Sequence, residues 1–515
     1  MQNSRTKNSM LIILTSGVRQ ILTLVLTFVS RTVFIKILGA EYLGLNGLFS
    51  NILSLLALSE LGIGAAISFY LYQPLADNDI ERIKTLMKFY KICYRVIGLA
   101  IVGIGCCIMP FLAYMVNFDQ GVPGNLYLVY FIYLLNTASS YSFFAYKQAL
   151  VTANQEQYKI ENINIAFSFI NCLADIIVLI IARNFVVYLI VKLLLVMLKN
   201  VIIAIKINKE YPYLKEKNVQ PLKKKEVMIF FKDVGAVAIF KSGSTLFNAT
   251  DNIVISMLLG TVVVGYYSNY FMIISQITII INIIVRSFAA GIGNVIAKES
   301  KERHFAIFKQ IDFLVYFVVT VCTACFFQLL NSFVKIWIGN IDANYVLSQS
   351  VIIFLCMNFF FDGTTQIMNS FREGSGNFST GKYLQIFGGI VNIILSVVLG
   401  KIFGLSGIFA ATVISKGFIT LLPFMVGISK DVFDKGKYTI LLKYIKNGIV
   451  AFLSIALLWF TCTSIHMTDI AGFVLECILS ILIPSFVLIV VFFKTDEMTQ
   501  LRKRASYMVI GFRNK

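Results

Sequence analysis

Long apolar blocks alternate with short polar runs along this chain. Blocks of about 20 residues or more are long enough to cross the ~30 Å hydrocarbon core of a bilayer as helices. In lipid, only helices and closed barrels satisfy their own backbone polar groups. Barrel strands would alternate polar and apolar side chains over about ten residues, and stretches such as residues 169–182 do not alternate. The pattern therefore predicts an all-α integral membrane protein. Fourteen spans are expected, at residues 10–38, 45–72, 89–117, 126–148, 163–182, 185–207, 228–259, 262–292, 308–334, 346–371, 383–401, 406–429, 444–466 and 472–493.

Composition agrees with this reading. Of 515 residues, 58% are hydrophobic and only 14% charged, against roughly 25% charged in soluble domains. A net charge of +19 would by itself admit a nucleic-acid partner, but its distribution argues against one. Most Lys and Arg stand in or beside the N-terminus, the even-numbered connections and the C-terminus. Only Arg183, Lys335 and Lys401 fall in odd-numbered connections. Short loops rich in Lys and Arg stay on the cytoplasmic side. Both termini are therefore expected in the cytoplasm, as an even span count requires, and no nucleic acid is expected as partner.

The first apolar block lacks a short hydrophobic region followed by a small-residue cleavage site, so it is expected to remain as a span. The abundance of Lys, Asn and Ile suits an AT-rich bacterium, and the expected location is its inner or plasma membrane. The nine cysteines all fall inside predicted spans. Cys322 and Cys325 have CxxC spacing, but no second pair faces them and the chain has two His in all. They read as small hydrophobes. No metal, cofactor or catalytic residue is expected.

The polar run at 206–226, with Pro212, Pro221 and Lys223-Lys224-Lys225, falls after the sixth span. It predicts a six-helix lobe over 1–207, a cytoplasmic linker at 208–226, a second six-helix lobe over 227–430, and two further helices with a basic tail over 431–515. An offset of 221 carries the first lobe onto the second without gaps: Leu38-Gly39 and Gly44 onto Leu259-Gly260 and Gly265, Glu81-Arg82 onto Glu302-Arg303, Lys88 onto Lys309, and Asn171 onto Asn392. With an even number of spans in each, the repeats are parallel, related by an axis along the membrane normal. The tail, with Arg502, Lys503 and Arg504 between Met498, Leu501 and Met508, is suited to lie against anionic lipid.

Polar residues stand on one face of two spans. Span 1 carries Ser16, Arg19, Gln20, Thr23, Thr27, Ser30 and Arg31; span 7 carries Lys241, Ser244, Asn248, Asp251 and Asn252. Steps of three and four keep them on one side of a helix. Two readings are open, hydrogen bonding that only glues the bundle and a water-filled cavity between the lobes. Ionisable residues inside spans are costly unless they face protein or water. Arg19, Arg31, Lys192, Lys241, Arg286 and Lys416 are the basic ones; Glu60, Asp175, Asp251, Asp312, Asp362 and Glu476 are acidic. Arg286 continues a polar face with Asn282, Gln276 and Asn269. A cavity lined by Arg19, Arg31, Lys241 and Arg286, with Asn248, Gln276 and Asn282, would attract anions and phosphates above all, since Arg grips phosphate with two parallel hydrogen bonds. Glu60, Asp251 and Asp362 are the candidates for cation coupling.

The stretch Ser59-Glu60-Leu61-Gly62-Ile63-Gly64-Ala65-Ala66-Ile67, followed by Tyr72-Gln73-Pro74-Leu75-Ala76 and Ile83-Lys84, resembles the span 2 to span 3 region of Wzx-like polysaccharide flippases of the multidrug/oligosaccharidyl-lipid/polysaccharide (MOP) exporter superfamily. Arg31-Thr32-Val33-Phe34, with Leu38-Gly39-Ala40-Glu41-Tyr42-Leu43-Gly44-Leu45, is similar to their span 1–2 turn. The local resemblance covers residues 10–90, and the helix layout covers the whole chain. It implies a two-lobed fold that alternates access. It also implies a polyprenyl-diphosphate-linked oligosaccharide as cargo, carried from the cytoplasmic to the outer leaflet. In the related lipid II flippases, basic residues on spans 1 and 8 line the cavity, and Arg19, Arg31 and Arg286 occupy those spans here. Expected partners are the lipid-linked glycan, membrane lipid, and the polymerase and glycosyltransferases of polysaccharide assembly. A cation-coupled multidrug antiporter of the same superfamily is the alternative, but it would want a cavity dominated by carboxylates. A membrane enzyme of polysaccharide assembly would need outward loops longer than about ten residues to hold catalytic groups. A membrane scaffold would not need polar stripes in both lobes.

Overall fold

A computed structural model describes residues 2–57, 63–116, 125–143, 145–154, 156–216, 219–375, 377, 380–464, 470–500 and 502; at several positions, chiefly in 2–18, 63–69, 236–248 and 286–298, the backbone alone is described. The described residues are helical, without strands, as expected of a chain that must satisfy its backbone in lipid. Among the described residues, ten helices are long and apolar enough to cross a membrane, or eleven if Leu126–Tyr141 and Tyr146–Ala153, bent by 44°, make one broken span. The difference from fourteen is mostly one of continuity. Spans 1 and 2 share the helix Gln2–Leu56 through a break at Gly39, and spans 11 and 12 lie in one helical stretch, Tyr383–Asp431, broken at Gly404. The protein is a multi-pass α-helical membrane protein.

Packing divides the chain into two compact units, Met1–Ser268 and Asn269–Lys515. The first contains α1 (Gln2–Leu56), α2 (Ile63–Ala76), α3 (Ile80–Ile108), α4 (Leu112–Met115), α5 (Leu126–Phe143), α6 (Ala145–Ala153), α7 (Tyr158–Ala182), α8 (Phe185–Glu210), α9 (Lys224–Leu259) and the start of α10 (Thr261–Lys298). Within it α1 packs along α7 and α9, and α5 along α3 and α8. The sequence repeat places its boundary in the 208–226 linker. The packing boundary falls inside α10 instead, because α9 lies against α1.

Local chemistry sets the ends of these helices. Asp79 caps α3 by accepting the Arg82 amide. Asn184 caps α8 by accepting the amides of Val186 and Val187, so α7 and α8 form a hairpin with Arg183 at φ +46° in its turn. Gly39 and Gly260 take φ of +84° and +96°, at positions related by the 221 offset, and this region disfavours any residue with a Cβ. The polar linker is tied back onto the start of α3. Arg82 pairs with Glu226 at 2.7 Å, Lys84 with Glu216 at 2.6 Å, and Lys88 donates to the Val219 carbonyl at 3.0 Å. The hydrogen bond from Arg82 holds the Glu226 carboxyl below its ordinary pKa.

The second unit holds the rest of α10, α11 (Lys301–Ile338), α12 (Gln349–Gly374), α13 (Lys382–Ile414), a π-helical turn (Ser415–Leu421), α14 (Leu422–Asp431), α15 (Thr439–Thr463) and α16 (Ile470–Phe492). α11 is its central helix, packed against α12, α15 and α16. Phe313, Tyr316, Leu488 and Phe492 form a core between α11 and α16. On the outer faces large apolar side chains are exposed, among them Phe452 and Phe460 on α15 and Phe486 on α16. In water such faces would be costly; in a bilayer they are the favourable contact.

Candidate functional site

Ionisable side chains inside the helices are mostly paired with one another. Arg19 on α1 lies 3.0 Å from the fully buried Glu161 on α7, an ion pair without hydrogen-bond alignment. Lys192 on α8 stands 3.5 Å from Asp175 on α7. In the second unit Lys416 meets Asp362 at 2.9 Å, and Lys443 meets the buried Asp312 at 2.6 Å beside the Tyr444 hydroxyl. Pairing offsets the several kcal/mol that a lone charge would cost at this depth.

One of these pairs opens into a cavity of about 360 Å³ within the first unit. α1 contributes Thr23, Thr27, Ser30 and Arg31 before its break, and Asn46 after it. α7 contributes Ser168, Asn171 and Asp175, and α8 contributes Tyr188 and Lys192. Helical spacing explains the set, since residues 23, 27, 30 and 31 share one face of α1. The Ser30 hydroxyl donates to Asp175 at 2.7 Å. The Arg31 guanidinium donates to the Ser268 hydroxyl. Lys192 sits 4.5 Å above the Tyr188 ring, which is stacked on Phe185 and meets Phe34 edge to face. A neighbouring cavity of about 380 Å³ shares Asn46 and Lys192 and adds Ser50, Ser54, Tyr133, Asn136 and Thr137. There Tyr133 donates to Asn46 at 2.5 Å. The two cavities offer two cations, one carboxylate and a ring of hydroxyls and amides. Such a lining can hold an anionic group and hydrogen-bond several sugar-like hydroxyls.

Of the residues singled out in the sequence, Arg31 lines the cavity, as do Thr23, Thr27 and Ser30 of the span 1 stripe. Arg19 does not line it and is engaged by Glu161. Asp251 and Asn252 are buried on α9, and Gln276 and Asn282 are part-buried on α10. Asp362 is half exposed and paired with Lys416. The side chains of Lys241, Ser244, Asn248 and Arg286 lie outside those described, as does Glu60 altogether. The stripe on α1 thus faces a cavity inside one unit. The sequence reading placed Asp175 and Lys192 among in-span charges but not in the site. A signal was there: each stands eight residues from the hairpin turn, Asp175 before Arg183 and Lys192 after Asn184. In antiparallel neighbours equal distances from the turn mean equal depth, about 12 Å at 1.5 Å per residue.

The fold is that of MOP superfamily transporters. No protein-family model and no curated protein sequence matches the chain, but solved structures do. The lipid II flippase MurJ, in an inward closed conformation, superposes with a TM-score of 0.66 over 94% of this chain and 99% of that one, at 14% identity. A multidrug resistance MATE family transporter of the superfamily, inward-facing, gives 0.61 over 80% of this chain and 98% of that one, at 14% identity. A superfamily transporter from Pyrococcus furiosus, described as having a binding pocket of reversed polarity, gives 0.58 over 81% and 95%, at 14% identity. At such identity the likeness concerns the fold.

Proposed function

We propose that the protein is a flippase that carries a polyprenyl-diphosphate-linked oligosaccharide, a repeat unit of a capsule, O-antigen or exopolysaccharide, from the cytoplasmic to the outer leaflet by alternating access, and that it is a transporter and not an enzyme. The observation that carries this reading is the cavity of the first unit, where Arg31 and Lys192 stand among hydroxyls and amides. The diphosphate would sit against Arg31 and Lys192, and the sugars against Asn46, Asn171 and the Ser and Thr ring, while the polyprenyl tail stays in lipid. With a negative interior, outward movement of an anion is downhill by ~2.3 kcal/mol per charge per 100 mV. The fold shared with a lipid II flippase over 94% of the chain supports the same class of cargo. Lys241, Asn248, Gln276, Asn282 and Arg286 remain proposed substrate contacts, and the 6+6+2 organisation remains the proposed plan of the repeats.

The test is depletion of the protein in its host. Lipid-linked glycan should then accumulate on the cytoplasmic face while its synthesis continues. Undiminished surface glycan after full depletion would sink the proposal. A second reading, a cation-coupled multidrug antiporter, is favoured by one observation, the carboxylate of Asp175 in the cavity beside Ser30. It expects drug efflux from vesicles that stops when the ion gradient is collapsed and when Asp175 becomes Asn.

A further inference from the structure

At one end of the second unit, α11, α15 and the end of α16 enclose a cleft of about 310 Å³. Lys309, Lys443 and Lys446 line it, with the carboxylate of Glu497, the hydroxyls of Thr439 and Thr495, and the ring of Phe492. We propose that this cleft binds the phosphate of an anionic phospholipid headgroup, and that the lipid's acyl chains lie along the outer face of α15. The site is separate from the cavity of the first unit and does not depend on the cargo carried there.

The charges in the cleft are not all spent on the protein. Lys443 is committed to the buried Asp312 at 2.6 Å. Lys309 reaches Glu497 only at 3.9 Å, a separation too long for a hydrogen bond. Lys446 is exposed, with its ammonium 5.6 Å above the Phe492 ring and no carboxylate within ion-pair distance among the described residues. The cleft thus keeps a surplus of positive charge beside two hydroxyls, Thr439 and Thr495. Thr439 opens the 25-residue helix α15, whose N-terminal dipole adds to the attraction for an anion.

Two features favour a lipid over a free phosphate. The first is depth. Lys309, Lys443 and Lys446 stand within about two turns of the starts of α11 and α15, and Thr495 just past the end of α16. At 1.5 Å per residue this is within about 12 Å of the helix ends, the level of phospholipid headgroups. The positive-inside pattern puts this end in the cytoplasmic leaflet, where anionic lipids meet basic pockets between helices. The second is the flank. Ile445, Ile449 and Phe452 of α15 are exposed at 48%, 55% and 70%, and they run from the level of Lys446 toward the middle of the bilayer. An acyl chain has a surface there, and a free anion has no use for it. The 221 offset adds a contrast: Lys88, the counterpart of Lys309, is closed over by the Val219 carbonyl of the linker, while Lys309 faces an open cleft.

The test uses the full chain, purified in detergent and mixed with phosphatidylglycerol or with phosphatidylethanolamine of the same acyl chains, and native mass spectrometry to count the lipids retained. The wild type should keep phosphatidylglycerol about fivefold more than phosphatidylethanolamine. Lys309→Gln with Lys446→Gln should remove most of that preference, and Lys401→Gln, an exposed lysine in the connection predicted to lie outside, should not. Lys446→Gln alone strands no carboxylate and carries the test if the double variant fails to fold. Unchanged retention in these variants, or an equal loss in Lys401→Gln, would overturn the site. Displacement of phosphatidylglycerol by inorganic phosphate at equal concentration would overturn the lipid assignment in favour of a free anion.

Discussion

Gly44 and Gly265 meet backbone to backbone, and the 221 offset of the repeat turns one into the other. A Cβ on Gly44 would lie 1.8 Å from the Thr261 carbonyl oxygen, and one on Gly265 would lie 2.1 Å from the Ala40 carbonyl oxygen. Ala40 and Thr261 are themselves separated by 221. The contact is reciprocal, as a local two-fold relationship between equivalent turns demands. Neither obstacle is a flexible side chain, so no rotamer change relieves it.

Gly44→Ala and Gly265→Ala should therefore each destabilise the protein, by ~1–3 kcal/mol or more. Gly103→Ala provides the contrast: nothing lies within 4 Å of a Cβ there, and alanine in a helix is favoured over glycine by ~1 kcal/mol. Thermal melts of the purified variants should fall for the first two and hold or rise for the third. Equal melts for all three would remove the close approach.

The Asp175–Lys192 pair separates a structural role from a transport role. Lys192→Ala leaves Asp175 without its cation, at a cost of ~3–5 kcal/mol if the pair is dry. Abundance in the membrane should drop, and Asp175→Asn combined with Lys192→Met should restore it. Arg31 donates to the Ser268 hydroxyl, and Arg31→Ala should leave the protein level near normal while glycan export falls. Arg31→Lys should regain part of the export, because a point charge keeps the attraction and loses the two-pronged grip. Full export by a well-expressed Arg31→Ala variant would remove Arg31 from the substrate site.

Cavity access can be read by labelling. In a background without the nine native cysteines, cysteine at Thr27 or Asn171 should react with a small membrane-impermeant thiol reagent. Cysteine at Leu173, exposed at 59% on the outer face of α7 and ten residues from the turn, should not, because lipid covers it. Complete protection of Thr27→Cys and Asn171→Cys would return the stripe to a purely adhesive role.

The linker clasp predicts an acid dependence. Arg82 lowers the pKa of Glu226 in the folded protein, so the unfolded chain holds its proton at higher pH than the folded one. The stabilisation is complete above the ordinary carboxylate pKa and is lost as pH falls through the lowered value. Proteolysis of residues 208–226 should be level from about pH 7 to pH 5 and rise below about pH 4. The pair is partly exposed, and such pairs contribute only ~0.2–1 kcal/mol, so the rise should be modest. Glu226→Gln should flatten it.

Topology is testable without reference to any site. A reporter inserted after Lys225 should be cytoplasmic, and one placed in residues 121–125 should face outside. Labelling in the opposite sense would reverse every membrane side assigned above.

The sequence by itself determined that the chain spans a membrane many times as helices. That follows from the length of its apolar blocks and the backbone's need for hydrogen bonds in lipid, both local properties. It also held the 221 offset, and with it the equivalence of Gly39 with Gly260 and of Gly44 with Gly265. The positive-φ breaks at Gly39 and Gly404 fall just past the predicted ends of spans 1 and 11, so those boundaries were legible in the sequence, whereas hydropathy could not show that the next helix begins there without a loop between. Only the tertiary structure decided which polar side chains share a space. Arg19 and Arg31 stand three turns apart on one helix and looked alike as residues. Packing of α7 against α1 gave Arg19 the buried Glu161 as partner and opened a cavity in front of Arg31. Packing of α8 against α7 brought Lys192 to Asp175. The partner of a charge is set by the helix that lies against it, and a one-dimensional pattern fixes the face of a helix but not what that face meets.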